Sequence, residues 1–148
     1  MSDSEQQGAG SDGSYGGLIL INPEDLGAPR GYSHGALTPM SARILFIAGQ
    51  VGWDQEQRLV GEDFVAQFER ALSNVILVVR SAGGGRRDIA RLTIYVTDKR
   101  EYLADPGAIG EAYRRVMGKH FPAMALVEVA GLVEPGAKVE IEGTAAIS

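Results

Sequence analysis

The sequence predicts an α+β domain: a mixed β-sheet with two helices packed on one face. Two segments place apolar residues at helical spacing, others alternate apolar and polar positions, and the order is strands, helix, strand, helix, two strands. At 148 residues with 45% hydrophobic content, the chain suffices for one domain with a substantial core.

Residues 1–16, "MSDSEQQGAGSDGSYG", are polar, rich in Ser and Gly and without periodicity, which predicts a disordered tail before a single domain at 17–148. Order should begin with "LILIN" at 18–22, stopped by Pro23 and followed by a turn-rich connection. "YSHGAL" and "RILFIAGQVG" read as two strands joined around Pro39, with Gly49 and Gly52 marking where the backbone bends or approaches something closely. The segment 62–82 carries Phe64, Phe68, Leu72, Val75 and Val79 on one helical face, with acids early and Arg80 late as the macrodipole favours. On that helix Gln67 and Asn74 are expected to make structural hydrogen bonds.

"GGG" at 83–85 follows a helix and lacks the Lys and Ser or Thr of a phosphate-cradling loop, so it reads as a C-cap and turn. "DIARLTIYVTD" alternates, with Leu92, Ile94 and Val96 on one face and Arg91, Thr93, Tyr95 and Thr97 on the other. A second helix should be capped by Asp105, admit Pro106 in its first turn and bury Ile109, Tyr113, Val116 and Met117, ending around Gly118 and His120. Two strands close the chain. In the last, Lys138, Glu140, Glu142 and Thr144 share a face opposite Val139, Ile141, Ala145 and Ile147. The face turned away from the helices is expected to carry Met124, Leu126, Thr93 and Tyr95 among its charges, a semi-apolar surface that association with further copies would cover.

A net charge of −5 without a basic cluster argues against nucleic acid or an anionic membrane as partner, since both select clustered Lys and Arg. The absence of cysteine excludes disulfides, thiolate nucleophiles and Cys-ligated metals, and two histidines, His34 and His120, make a histidine-rich metal site a poor reading. No basic leader with an apolar run and no apolar stretch near ~20 residues occurs, so a cytoplasmic location is the expectation.

Five stretches in order, "RGYSHG" (30–35), "FIAGQ" (46–50), "QFERALSNV" (67–75), "DIARLTIYVTD" (88–98) and "FPAMALVEVAGLVEPGAKVEIEGTA" (121–145), make the chain from about Leu18 to Ile147 resemble the Rid family (RidA, also called YjgF or L-PSP). The resemblance implies a homotrimer of chorismate-mutase-like subunits whose sheets form an inner barrel, with small-molecule clefts between subunits. It also implies hydrolysis of reactive imines and enamines such as 2-aminoacrylate, without metal or organic cofactor. Within the family pattern an arginine after "FPA" holds the substrate carboxylate, and the first acid of "VEIE" positions or activates water. Tyrosine, serine and asparagine complete the cleft.

Carried across, Tyr32 matches the tyrosine and Glu140 the water-positioning glutamate, while Met124 stands at the arginine, Ala48 at the serine and Gly110 at the asparagine. A thioether offers neither charge nor donors, so a substrate carboxylate placed against Met124 would be desolvated without a partner. The resemblance therefore implies a cleft bounded by Met124, Ala48, Gly49, Trp53 and Ala125 that suits a neutral imine or enamine, with Glu140 and Tyr32 as its catalytic pair. Plainer roles stand beside these: Glu140 as a solvated residue or an ion-pair partner of Lys138, Tyr32 and Met124 as interface or core packing, Trp53 packed beneath its loop, His34 as a surface histidine. A non-catalytic small-molecule-binding or accessory trimer is the alternative function, and ribonuclease activity a third reading that the acidic balance disfavours.

Overall fold

In the computed structural model, which describes residues 17–148, the chain forms β1 (Ile19–Ile21), β2 (Gly35–Leu37), β3 (Arg43–Val51), α1 (Phe64–Ser81), β4 (Ile89–Val96), α2 (Lys99–Ala104), α3 (Pro106–Met117), β5 (Ala123–Glu128) and β6 (Val139–Ile147). The tail expected at 1–16 lies outside the described residues. Four strands form one mixed sheet in the order β3-β6-β4-β5. β6, the last strand made, is antiparallel to both of its neighbours, whereas β4 and β5 run parallel, as a helical crossover through α2 and α3 requires. β1 and β2 pair separately as a short antiparallel ribbon.

Both long helices pack on one face of the sheet. Phe68, Leu72, Val75 and Val79 of α1 and Ile109, Ala112, Tyr113 and Met117 of α3 are buried with Leu92, Ile94 and Val96 of β4 and Val139, Ile141, Ala145 and Ile147 of β6. Each such large side chain contributes about 1.5–3 kcal/mol relative to exposure. The expected cap of the second long helix is present, Asp105 accepting from the Ala108 N–H at 3.1 Å with Pro106 in the first turn, and the first helix is capped by Asp63, which accepts from the Ala66 N–H at 2.9 Å. The glycines after α1 form its exit turn, with Gly83 at φ 88° and its N–H donating to the Arg80 carbonyl. The short α2 was not expected; six residues, "KREYLA", are too few to display a helical period, and the start is set by Asp98, which accepts from the Arg100 N–H.

One expectation about the sheet is corrected. β5 pairs in register with β4 so that Met124 lies beside Leu92 and Leu126 beside Ile94, and both pack against the core on the helix side. Ala123, Ala125 and Val127 instead share the outer face with Arg91, Thr93 and Tyr95. Alternation shows that two sets of residues part to opposite faces, but only the partner strand decides which set goes inward.

Polar groups tie α1 to the ends of the sheet. Gln67 is fully buried; its Nε2 donates to the carbonyls of Gly61 (2.8 Å) and Gly136 (3.1 Å), and its Oε1 accepts from the Lys138 N–H (2.9 Å). Gly52 meets the same helix so closely that a Cβ there would stand 2.7 Å from the Gln67 backbone. Asn74 donates to the carbonyls of Val51 and Trp53, so both amides have the structural role expected of them. Gln67→Leu should therefore lower stability by at least about 2 kcal/mol by stranding buried backbone groups, read as a fall in the urea midpoint at unchanged slope.

Tyr113 donates to the His120 carbonyl at 2.6 Å and stacks on Phe121, and burial pushes its hydroxyl pKa well up. The unfolded chain releases this proton near the ordinary value of about 10 while the folded chain keeps it, so stability is level below that pH and falls above it. The loss attributable to Tyr113 should approach about 1.4 kcal/mol per pH unit, and urea unfolding of Tyr113→Phe between about pH 9 and about pH 11 should show a correspondingly shallower decline.

Candidate active site

The pairing of β3 with β6 slips by one residue between Ile47, opposite Gly143, and Gln50, opposite Ile141, so Ala48 and Gly49 form a bulge. Glu140 lies opposite both Val51 and Tyr95, and its side chain crosses the bulge. A Cβ at Gly49 would stand 2.8 Å from the Glu140 Cδ and 3.0 Å from Oε1. The glutamate thus occupies the volume that any larger residue at 49 would claim. Gly49 is needed here for space, since its φ is not in the left-handed range.

Glu140 is half-buried, and among the described residues its carboxylate has neither a hydrogen bond nor an ion pair. Lys138, the partner in the plainer ion-pair reading of Glu140, is committed elsewhere: its Nζ lies 3.0 Å from Glu101 Oε1. Glu142, two residues on and on the same face, is held by Tyr95, whose hydroxyl donates to Oε1 at 2.6 Å. That bond raises the Tyr95 pKa, with the nearby Glu140 charge adding to the effect, so the phenol remains a donor. The two carboxylates of "VEIE" therefore differ: one is anchored and one is available.

Trp53 follows β3 at the same end of the sheet and is partly exposed. Its carbonyl accepts from Asn74 Nδ2 (3.0 Å) and Arg70 Nε (3.1 Å), and it bridges to Leu59, so the turn that carries it is tied to α1. Ala48 is exposed beside Gly49, and Ala125 is exposed on the outer face opposite Thr93.

Tyr32 and Met124 lie elsewhere. The loop before β2 docks on the start of β5: the Ser33 N–H donates to the Pro122 carbonyl (3.0 Å), its hydroxyl donates to the Phe121 carbonyl (2.6 Å), and Ser33 bridges in parallel to Ala123. This places the half-buried Tyr32 near "FPAM", edge-on to the His34 ring at 5.3 Å. Ala123 pairs with Arg91 and Glu140 with Tyr95, a stagger of four residues or ~13 Å along the strands, across two further strand spacings. One chain therefore unites Ala48, Gly49 and Glu140 at one end of the sheet and Tyr32 with the start of β5 at the other. Gly110 lies in the first half of α3, with the Arg114 guanidinium beside it. Tyr95 was not singled out from sequence; its place on the Glu140 face was legible, but its hydrogen bond to Glu142 required the strand register.

Histidine does not supply an acid–base pair here. His120 Nε2 donates to the Ile89 carbonyl at 2.7 Å and burial lowers its pKa, keeping the ring neutral. Among the described residues no group of three or more His, Cys, Asp or Glu could hold a metal, and no helix is long and apolar enough to cross a membrane.

The chain is similar over most of its length to known proteins. The family model described as Endoribonuclease L-PSP matches residues 23–147. A 2-iminobutanoate/2-iminopropanoate deaminase from Salmonella typhimurium is 35% identical over 102 residues, covering 69% of this chain and 78% of the relative. The RutC family protein UK114 of Drosophila melanogaster is 35% identical over 101 residues, covering 68% and 70%. Among solved structures, YyfB of Yersinia pestis, a Rid-family protein of unknown function, superposes with a TM-score of 0.78 at 35% identity, covering 88% of this chain and 98% of that one. With its sheet order, its helix placement and this match across residues 23–147, the chain belongs to the L-PSP, or Rid, family.

Proposed function

We propose that the chain is a Rid-type enzyme that hydrolyses or isomerises a small imine or enamine lacking an α-carboxylate, with Glu140 as general base or water-positioning group. The observation that carries this reading is the Glu140 carboxylate, held over Gly49 at an open bulge with no partner among the described residues. In hydrolysis Glu140 takes a proton from water as the water oxygen bonds to the imine carbon and passes it to the nitrogen; Glu140 then takes the hydroxyl proton of the resulting carbinolamine and delivers it to the nitrogen as the C=O bond forms and the C–N bond breaks, releasing ammonia. These steps need no cofactor.

The relative named 2-iminobutanoate/2-iminopropanoate deaminase acts on a carboxylate-bearing imine. Here Met124 stands after "FPA", turned toward the core, and a substrate carboxylate beside it would lose hydration without compensation, costing several kcal/mol. β5 is an edge strand, so Met124 borders any cleft formed along that edge, with Ala48, Ala125 and Trp53 as further weakly polar walls. The separation of Tyr32 from Glu140 argues that such a cleft is completed by another copy, with Tyr32 of one subunit serving as a hydrogen-bonding wall. Exposed Ile44, Phe46 and Val127 give the outer face the apolar area for a homotrimer. A ribonuclease reading is opposed by the net charge of −5 and by the commitment of His120 to Ile89.

Ammonia release should be followed on freshly generated 2-iminopropanoate and on a neutral imine of similar size. The expected result is a kcat/KM at least about tenfold higher for the neutral imine. Equal turnover of 2-iminopropanoate would remove the argument from Met124, and recovery of both ligands bound but unchanged would point to the non-catalytic trimer.

Glu140→Gln should lower kcat by about 10²–10⁴-fold with the oligomer unchanged by sedimentation. Gly49→Ala should lower kcat at least about tenfold by pushing the carboxylate off the bulge, with stability followed by thermal unfolding to separate displacement from misfolding.

A further inference from the structure

We infer, on the reading of Glu140 as the base, that Glu101 is its positioning residue: from α2 it holds the Lys138 ammonium aside, so that Lys138 does not neutralise the Glu140 carboxylate. Lys138 stands two residues before Glu140, and the Thr97 N–H donating to its carbonyl at 3.1 Å continues the β4–β6 pairing, so alternation puts both side chains on one face. Their backbones are about 7 Å apart, a gap that a lysine and a glutamate side chain close together. Lys138 is also pinned at its N–H, which donates to Gln67 Oε1 at 2.9 Å. Which acid it meets is therefore decided by its side chain alone, and that acid is Glu101, with Nζ 3.0 Å from Oε1.

Glu101 is in turn fixed by the start of α2. Asp98 accepts from the Arg100 N–H at 3.0 Å, and the Glu101 N–H donates to the Asp98 carbonyl at 3.1 Å. Neighbouring acids on the same elements are engaged: Arg100 grips Asp98 through Nε and Nη2 at 2.9 Å each, the Lys99 N–H donates to Glu128 Oε2 at 2.9 Å, and Tyr95 holds Glu142. Without the Glu101 charge, Lys138 turns to the carboxylate on its own strand face that has no partner among the described residues, Glu140. An ammonium there stabilises the ionised carboxylate and occupies the lone pairs that would orient water. Glu101 thus acts through Lys138 and not on the reacting atoms.

The test follows ammonia release from propan-2-imine above the uncatalysed rate, for the full chain and for Glu101→Gln, Lys138→Gln, the double variant and Glu140→Gln. Glu101→Gln should lower kcat about threefold or more. Lys138→Gln alone should leave kcat near that of the parent chain, and adding it to Glu101→Gln should restore turnover. A purely structural ion pair predicts otherwise, since breaking it from either side would cost about the same and the double variant would regain nothing. A crystal structure of the Glu101→Gln chain, which requires no substrate, should place Lys138 Nζ within about 4 Å of a Glu140 carboxylate oxygen. Nζ found in solvent or on another acid, or a kcat that Lys138→Gln fails to restore, would overturn the inference while Glu140→Gln still removes turnover. Full kcat in Glu140→Gln would instead sink the reading of Glu140 as base, and this inference with it.

Discussion

Alternation along β6 from Val139 to Ala145, in a strand that lies between β3 and β4 and is antiparallel to both, is the constraint on which the rest of the structure depends. Val139, Ile141, Ala145 and Ile147 are buried under α1 and α3, which sends Glu140, Glu142 and Thr144 to the outer face. A slip of one residue would carry two carboxylates into an apolar layer, where neither has a partner, and expose the strand's apolar row. The register that secures the core therefore also presents the acids, and stability and chemistry are set by the same pairing.

What distinguishes the two acids is their surroundings rather than their own chemistry. Tyr95 engages Glu142, Glu101 engages Lys138, and the bulge at Ala48 and Gly49 clears the volume into which Glu140 extends. Each contact removes a competitor or makes room, and together they leave one carboxylate without a partner among the described residues. Gln67 and Asn74 support this from behind by tying α1 to the end of β3 and the start of β6.

The second locus, at the start of β5, is organised by backbone rather than charge. Ser33 bonds to Phe121 and Pro122, bringing the Tyr32 loop alongside "FPAM", and β5 then follows β4 in parallel register. That register takes Met124 to the core side and leaves Ala123, Ala125 and Val127 outside, the reverse of the arrangement the alternation alone suggested. Met124 is only partly buried there, packed against the core at the edge of the sheet.

By itself the sequence determined the long helices with the Asp105 cap of the second, the alternating faces of β4 and β6, the glycine exit from α1, and Glu140 and Glu142 as residues sharing a face. These follow from spacing within one segment, which local periodicity and capping chemistry report directly. Only the tertiary structure decided which face of β5 turns inward, that Tyr95 anchors Glu142, that Gly49 makes room for Glu140, and that Tyr32 and Glu140 stand at opposite ends of one chain. Each of these depends on register between segments distant in sequence, and a period of two specifies that faces differ without specifying which partner each will meet.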